Sequence, residues 1–219
     1  MSDQIEHERA PEQTLSLLEK ATREYKNNPT SPEVLTQFMR SFWAEAGQRI
    51  GKNIVVDNFP LTAKEIKEKQ EKGYMPIFVP VEVSRVDLGR MFPKMGSWAV
   101  QEGNSVVDVV NNSWLWIEAS VDAPNRNTTQ RQLEEKFKKE RKQGQSLRSY
   151  IIGSQISKLL TDKYFDQGTT WSRLLGSCNE GWVLDASFYS SGGLRVGSGL
   201  RPEICGERMG GRSEEVIRP

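Results

Sequence analysis

Apolar residues recur at helical spacing through the first third of the chain. Between Glu12 and Lys26, Leu15, Leu17, Leu18, Ala21 and Tyr25 fall close to one stripe. Ser31-Pro32-Glu33 supplies a capping hydroxyl, a proline at the first helical position and an acid in the first turn, which predicts a helix start. The helix that follows would bury Val34, Leu35, Phe38, Met39, Phe42, Trp43 and Ala46, and Gly47 or Gly51 would end it. Asn53 to Asn58 reads as a short strand. Thr62 with Glu65 forms a capping box for a short charged helix that stops at Gly73.

From Met75 the period changes to that of strands. Met75 to Val83 is apolar and carries two prolines, which places it at a sheet edge. Ser97 to Gln101 and Ser105 to Val110 are short apolar runs, and Asn111-Asn112 is a turn signal. Ser113 to Ser120 sets Trp114, Trp116 and Glu118 against Leu115, Ile117 and Ala119, so the tryptophans read as core. A helix is predicted from Thr128 or Thr129 to Gln143, closed by Gly144, and another from about Ser146 to Phe165.

Beyond Asp166 the composition shifts. Residues 166–219 contain no lysine, and 10 of the 18 glycines fall between Gly168 and Gly211. Trp182 to Tyr189 alternates, with Leu184, Ala186 and Phe188 on one face and Asp185, Ser187 and Tyr189 on the other. Ser190-Ser191-Gly192-Gly193 is a turn. Leu194, Val196, Ser198 and Leu200 then share a face opposite Arg195, Gly197, Gly199 and Arg201, which completes a β-hairpin. The pattern as a whole is α+β, with a helical region over 1–73 and a mixed domain over 74–219.

Composition narrows the chemistry. The chain has 219 residues, 36% hydrophobic and 27% charged, with 30 Lys+Arg against 29 Asp+Glu. A net charge of +1 makes no global case for a nucleic-acid partner. No apolar run approaches the roughly 18–20 residues of a membrane helix. The first eight residues are acidic and polar rather than a secretory signal, which predicts a cytoplasmic protein. The only histidine is His7, so most histidine-based catalysis and multi-histidine metal sites are set aside.

Several motifs have plainer readings beside their chemical ones. Cys178 and Cys205, 27 residues apart with no histidine nearby, make a poor zinc site, and a thiol nucleophile would want Arg173 or Arg208 beside it. Asn127-Thr128-Thr129 matches a glycosylation acceptor by chance. Gly192-Gly193 and Gly210-Gly211-Arg212-Ser213 lack the Gly-Lys-Ser/Thr ending of a phosphate loop, and Gly210-Gly211 reads as a tight backbone passage. Arg131 to Arg148 is locally basic and would suit phosphates, although i,i+4 pairs such as Glu134–Lys138 and Glu135–Lys139 make it an ordinary solvated helix face. Nothing in their spacing requires the carboxylates of Glu118, Asp122 and Asp185 to meet. The outward hairpin positions carry no common chemistry, which suits a recognition surface better than a catalytic site.

A family resemblance sharpens this. The stretch from Trp114-Leu115-Trp116-Ile117-Glu118 to Asn127-Thr128-Thr129, Lys158-Leu159-Leu160, Gly168 to Ser177 and the ending Gly210-Gly211-Arg212-Ser213-Glu214-Glu215-Val216 resemble the fixed part of proteins from small-genome candidate-phylum bacteria. Those are similar to the variable proteins of diversity-generating retroelements, over residues 75–217 here. In such systems an error-prone reverse transcriptase misreads template adenines and the copy replaces the 3′ end of a target gene. The resemblance implies a C-type-lectin-like domain, similar to formylglycine-generating enzymes, with a variable region at about 177–208. It implies a frame of Leu184, Phe188, Leu194, Val196, Leu200, Pro202, Gly210 and Gly211. It implies varied, ligand-contacting residues at Cys178, Asn179, Glu180, Trp182, Asp185, Ser187, Tyr189, Arg195, Gly197, Ser198, Arg201, Glu203, Ile204, Cys205, Glu207 and Arg208. These varied residues should point to solvent. The chain lacks the Gly-Phe-Arg-Leu-like ending of better-known members, and no Glu-Pro-Asn or Trp-Asn-Asp triplet is present for a sugar-bridging calcium.

The expectation is a non-enzymatic binding protein for a protein partner, with no cofactor and no metal. Two other classes remain open: an enzyme of the formylglycine-generating type using Cys178 and Cys205, and a nucleic-acid-associated protein using residues 131–148.

Overall fold

The computed structural model describes residues 15–109 and 113–218. His7, the first residues of the predicted 12–26 helix and the Asn111-Asn112 turn lie outside the described residues. Helix α1 (Leu17–Asn27) opens on a capping box between Ser16 and Glu19. It buries Leu18, Ala21 and Tyr25, whereas Leu15 and Leu17, expected on the same stripe, are exposed. Helix α2 (Pro32–Gln48) starts at the Ser31 cap and buries Leu35, Phe38, Met39, Phe42, Trp43 and Ala46. Helix α3 (Ala63–Glu71) has the Thr62–Glu65 capping box, and the chain turns at Gly73 with φ +82°.

The expected strand over 53–58 is not one. The segment is extended, but side chains of α2 take the place of a neighbouring strand. Arg40 Nε donates to the Val56 carbonyl at 3.1 Å, and the Phe59 amide donates to Thr36 Oγ1 at 2.9 Å. Ser97 to Gln101 likewise contains a 3₁₀ turn, Trp98–Val100, rather than a strand.

The architecture is mixed α+β, with two sheets. The first has strand order β1-β3-β9-β4, formed by β1 (Tyr74–Val79), β3 (Ser113–Glu118), β9 (Ser213–Val216) and β4 (Gln143–Gly144). As its prolines implied, β1 is an edge. The second sheet runs β2-β5-β6-β7, from β2 (Val106–Asp108), β5 (Trp171–Asn179), β6 (Trp182–Phe188) and β7 (Leu194–Gly197). Strand β8 (Met209–Gly211) pairs with β5 in parallel. Helix α4 (Arg85–Met91) precedes the 3₁₀ turn. Helix α5 (Gln130–Lys139) is shorter than predicted, because Gln143–Gly144 leaves the helix to pair with β9. Helix α6 (Leu147–Thr161) ends at Asp162, which adopts φ +63°. Both sheets and the helices other than α5 share one continuous apolar core, from Leu18 to Ile217. No helix among the described residues is long and apolar enough to cross a membrane.

The sheets meet at the start of α6. The Gly176 amide donates to the Gln145 carbonyl at 3.1 Å, and any side chain at Gly144 would collide with Leu175. Glu214 of β9 is 1% exposed and accepts from the Ser146 amide at 3.3 Å, Gln143 Nε2 at 2.8 Å and the Ser149 hydroxyl. Burial pushes its carboxyl above the ordinary value of 4.5; those donors oppose the shift, and the Asp108 charge adds to it. A carboxyl raised in the folded state stabilises fully below its unfolded value, and that contribution is lost as pH rises through the folded value. The urea midpoint of the parent should therefore fall relative to that of Glu214→Gln as pH rises above 4.5. The comparison isolates Glu214, because the raised Asp108 and the lowered Glu33, Glu65, Asp87, Glu140 and Asp162 titrate in both proteins. Parallel pH profiles for the two proteins would contradict this.

Candidate functional site

The hairpin of β6 and β7 has two chemically distinct faces. On the inner face Leu184, Ala186, Phe188, Leu194 and Val196 are all buried. Phe188 stacks on Tyr164 with centroids 4.4 Å apart. The outer face places Arg173 of β5 opposite Asp185, Asp185 opposite Gly197, and Ser187 opposite Arg195. An irregularity in β5 between Leu174 and Cys178 resets the register, so Val107, Cys178 and Val183 form the next row outward. The exposed Trp182 pairs with Asn179 at the tip.

Beyond Gly197 the chain leaves the sheet. Strand β7 is shorter than expected, so Ser198 and Leu200 do not continue its inner face. Of the expected frame, Leu200 is only half-buried and Pro202 is exposed. The segment from 198 to 208 is fastened mainly through its own main chain. The carbonyl of Pro202 accepts from the Gln130 amide at 2.9 Å, that of Gly206 from Asn127 at 3.1 Å, and that of Arg208 from Trp171 at 2.9 Å. The Ile204 carbonyl accepts from the buried guanidinium of Arg173, which also donates to the Thr128 carbonyl at 2.8 Å. Burial pushes Arg173 below the ordinary arginine range, with the Asp185 carboxylate among the groups pulling the other way.

This arrangement puts most of the expected contact residues in solvent. Glu180, Trp182, Tyr189, Arg195, Ser198, Arg201, Glu203, Ile204, Cys205, Glu207 and Arg208 are exposed. Cys178, Asn179 and Gly197 are half-buried. The expectation fails at Asp185 and Ser187, which are 5% and 8% exposed. Both lie on the outer face, as the alternation required, but Arg195 covers Asp185 through an ion pair of 2.9 Å. Arg208 is tethered to the Thr169 carbonyl at 2.6 Å and lies over the Trp171 ring.

No known protein family, curated protein or solved structure matches this chain. The geometry of the site stands on its own.

The other candidate residues lie on separate elements. Cys178 and Cys205 are free thiols, one on β5 and one in the loop. Among the described residues no group of three His, Cys, Asp or Glu side chains could hold a metal ion. Glu118 accepts from the Ser213 amide at 2.6 Å and Asp122 from Thr169 at 2.6 Å, while Asp185 pairs with Arg195, so the three carboxylates serve separate contacts. The basic stretch is not one face. Glu135 pairs with Arg131 rather than with Lys139, Lys142 reaches Tyr74 and Glu140, and Arg148 is buried against the Pro80 carbonyl.

The anchors behind the site include an arginine that the sequence reading did not single out. Arg212 is wholly buried, 3.3 Å from Asp166, and donates to the carbonyls of Glu118, Ser120 and Val121. Gly210 lies so close to the Pro124 carbonyl that a side chain would overlap it, and a Cβ at Gly211 would sit 2.7 Å from Leu133. Gly210-Gly211 is thus a tight passage, as the sequence suggested. The burial of the arginine beside it had no local signal.

Proposed function

We propose that this protein binds a protein partner through the surface formed by residues 178–208, and that it catalyses no reaction. The surface is a variable region written by a diversity-generating retroelement and carried on a C-type-lectin-like domain. One observation carries this reading: the segment 198–208 is held by its carbonyl and amide groups while the side chains of Arg201, Glu203, Ile204, Cys205 and Glu207 stay in solvent. A main-chain tether is indifferent to side-chain identity, so substitutions there change the surface and leave the fold intact. The exposed Trp182 and Tyr189 supply aromatic anchors, and the exposed arginines supply polar contacts.

Deep sequencing of the 3′ end of the gene in its source population tests the reading. Substitutions should concentrate in codons of about 177–208 and trace to adenines in a nearby, near-identical repeat. A uniform 3′ end with no such repeat would remove the diversification claim.

A further inference from the structure

On the outer face of the second sheet Asp185 lies opposite Arg173 on one neighbouring strand and is ion-paired with Arg195 on the other. Arg173 is 1% exposed and gives its Nη groups to main-chain carbonyls. Asp185, 5% exposed, pairs with Nη1 of Arg195 at 2.9 Å. Two cations against one anion leave the cluster net positive, and the Arg195 side chain remains 44% exposed. The Asp185–Arg195 contact depends on Gly197. Asp185 lies directly across from it, and a Cβ there would sit 2.9 Å from Asp185 Cγ. The strand beneath Arg195 is fixed on its free edge as well, where Trp98 Nε1 donates to the Val196 carbonyl at 2.9 Å and the Leu194 amide donates to the Lys94 carbonyl at 3.1 Å. Arg195 is therefore a guanidinium oriented by Asp185, with donors left over. A planar fork of this kind matches a carboxylate, and ordering it in advance lowers the cost of binding.

We infer that Arg195 determines the specificity of this surface, that Asp185 is its positioning residue, and that Arg195 takes an acidic side chain of a protein or peptide partner. The inference rests on the binding role proposed above.

A phage library of random heptapeptides without free carboxyl termini, selected on the full chain, tests it. Enriched clones should carry Asp or Glu at one position. Their affinity should fall at least about tenfold in Arg195→Gln, since the bond lost is charge-assisted. Arg195→Lys, which keeps the charge and loses the fork, should fall between the two. Asp185→Asn makes the cluster more positive, so a purely electrostatic role would tighten binding; a positioning role weakens it. Lys64→Gln on α3 should change nothing, and each variant is compared as folded protein by its thermal transition. Clones with no acidic preference, or acidic clones indifferent to Arg195→Gln, would overturn this inference and leave the binding surface standing. Tighter binding by Asp185→Asn would overturn the positioning role. A library that yields no clone would overturn the binding role and this inference together.

Discussion

Replacing Arg212 with methionine is expected to be among the most damaging single changes in this protein. Arg212 and Asp166 are both 0% exposed. Asp166 also accepts from Tyr150 at 3.0 Å, Thr170 at 2.6 Å and Ser172 at 2.8 Å, so its charge has a full set of donors only while the guanidinium is present. Methionine fills similar space, against the Phe165 ring that the guanidinium now faces at 4.1 Å. It leaves a buried carboxylate without a countercharge and takes a donor from three carbonyls, of which that of Val121 still accepts from the Asp166 amide at 2.7 Å. Breaking a buried pair from one side costs about 3–5 kcal/mol. Urea denaturation should show a loss of that size, and the melting temperature should fall by roughly 10 °C, at about 2–4 °C per kcal/mol for a chain of this length. A loss below about 1 kcal/mol would mean that water or rearrangement replaces the guanidinium, and the anchoring role would be wrong.

Phe188→Ala is the second large effect expected. The ring is 1% exposed, lies flat on Tyr164 with planes 7° apart, and sits 6.2 Å from Tyr150. Truncation leaves a cavity between the hairpin and α6, with an expected cost of about 3–5 kcal/mol. Arg201→Ala, thirteen positions on in the exposed loop, should cost about 0.5 kcal/mol or less. Equal losses at the two positions, measured by urea midpoints at constant slope, would contradict the separation of frame from surface.

Local chemistry made a good part of this fold legible. The caps at Ser31, Thr62 and Thr129 form as their residue types require, because a hydroxyl beside free helix amides has few better partners. The hairpin was visible because alternation reports strand faces directly. Alternation does not report what covers a face, and so Asp185 and Ser187 were expected in solvent. It also does not report the partner of an extended segment: Ile54, Val56 and Phe59 are buried in a strand-like manner, yet their segment is held by Arg40 and Thr36. The hidden part of the site is arginine. Arg173 and Arg212 belong to a residue type that is almost never fully buried unless paired, and their partners are mostly main-chain carbonyls distant in sequence. The absence of lysine beyond Lys163 fits that use, since a guanidinium presents five donors in a fixed fork and an ammonium does not.

The central claim is that the main chain holds this surface and the side chains are free to change. The most direct measurement is the thermal unfolding of one variant in which Trp182, Tyr189, Arg201, Glu203, Ile204 and Glu207 are all alanine. Each exposed substitution should cost about 0.5 kcal/mol or less, so the variant should unfold cooperatively within roughly 10 °C of the parent. Loss of a cooperative transition would show that those side chains hold the segment in place, and the account would fail.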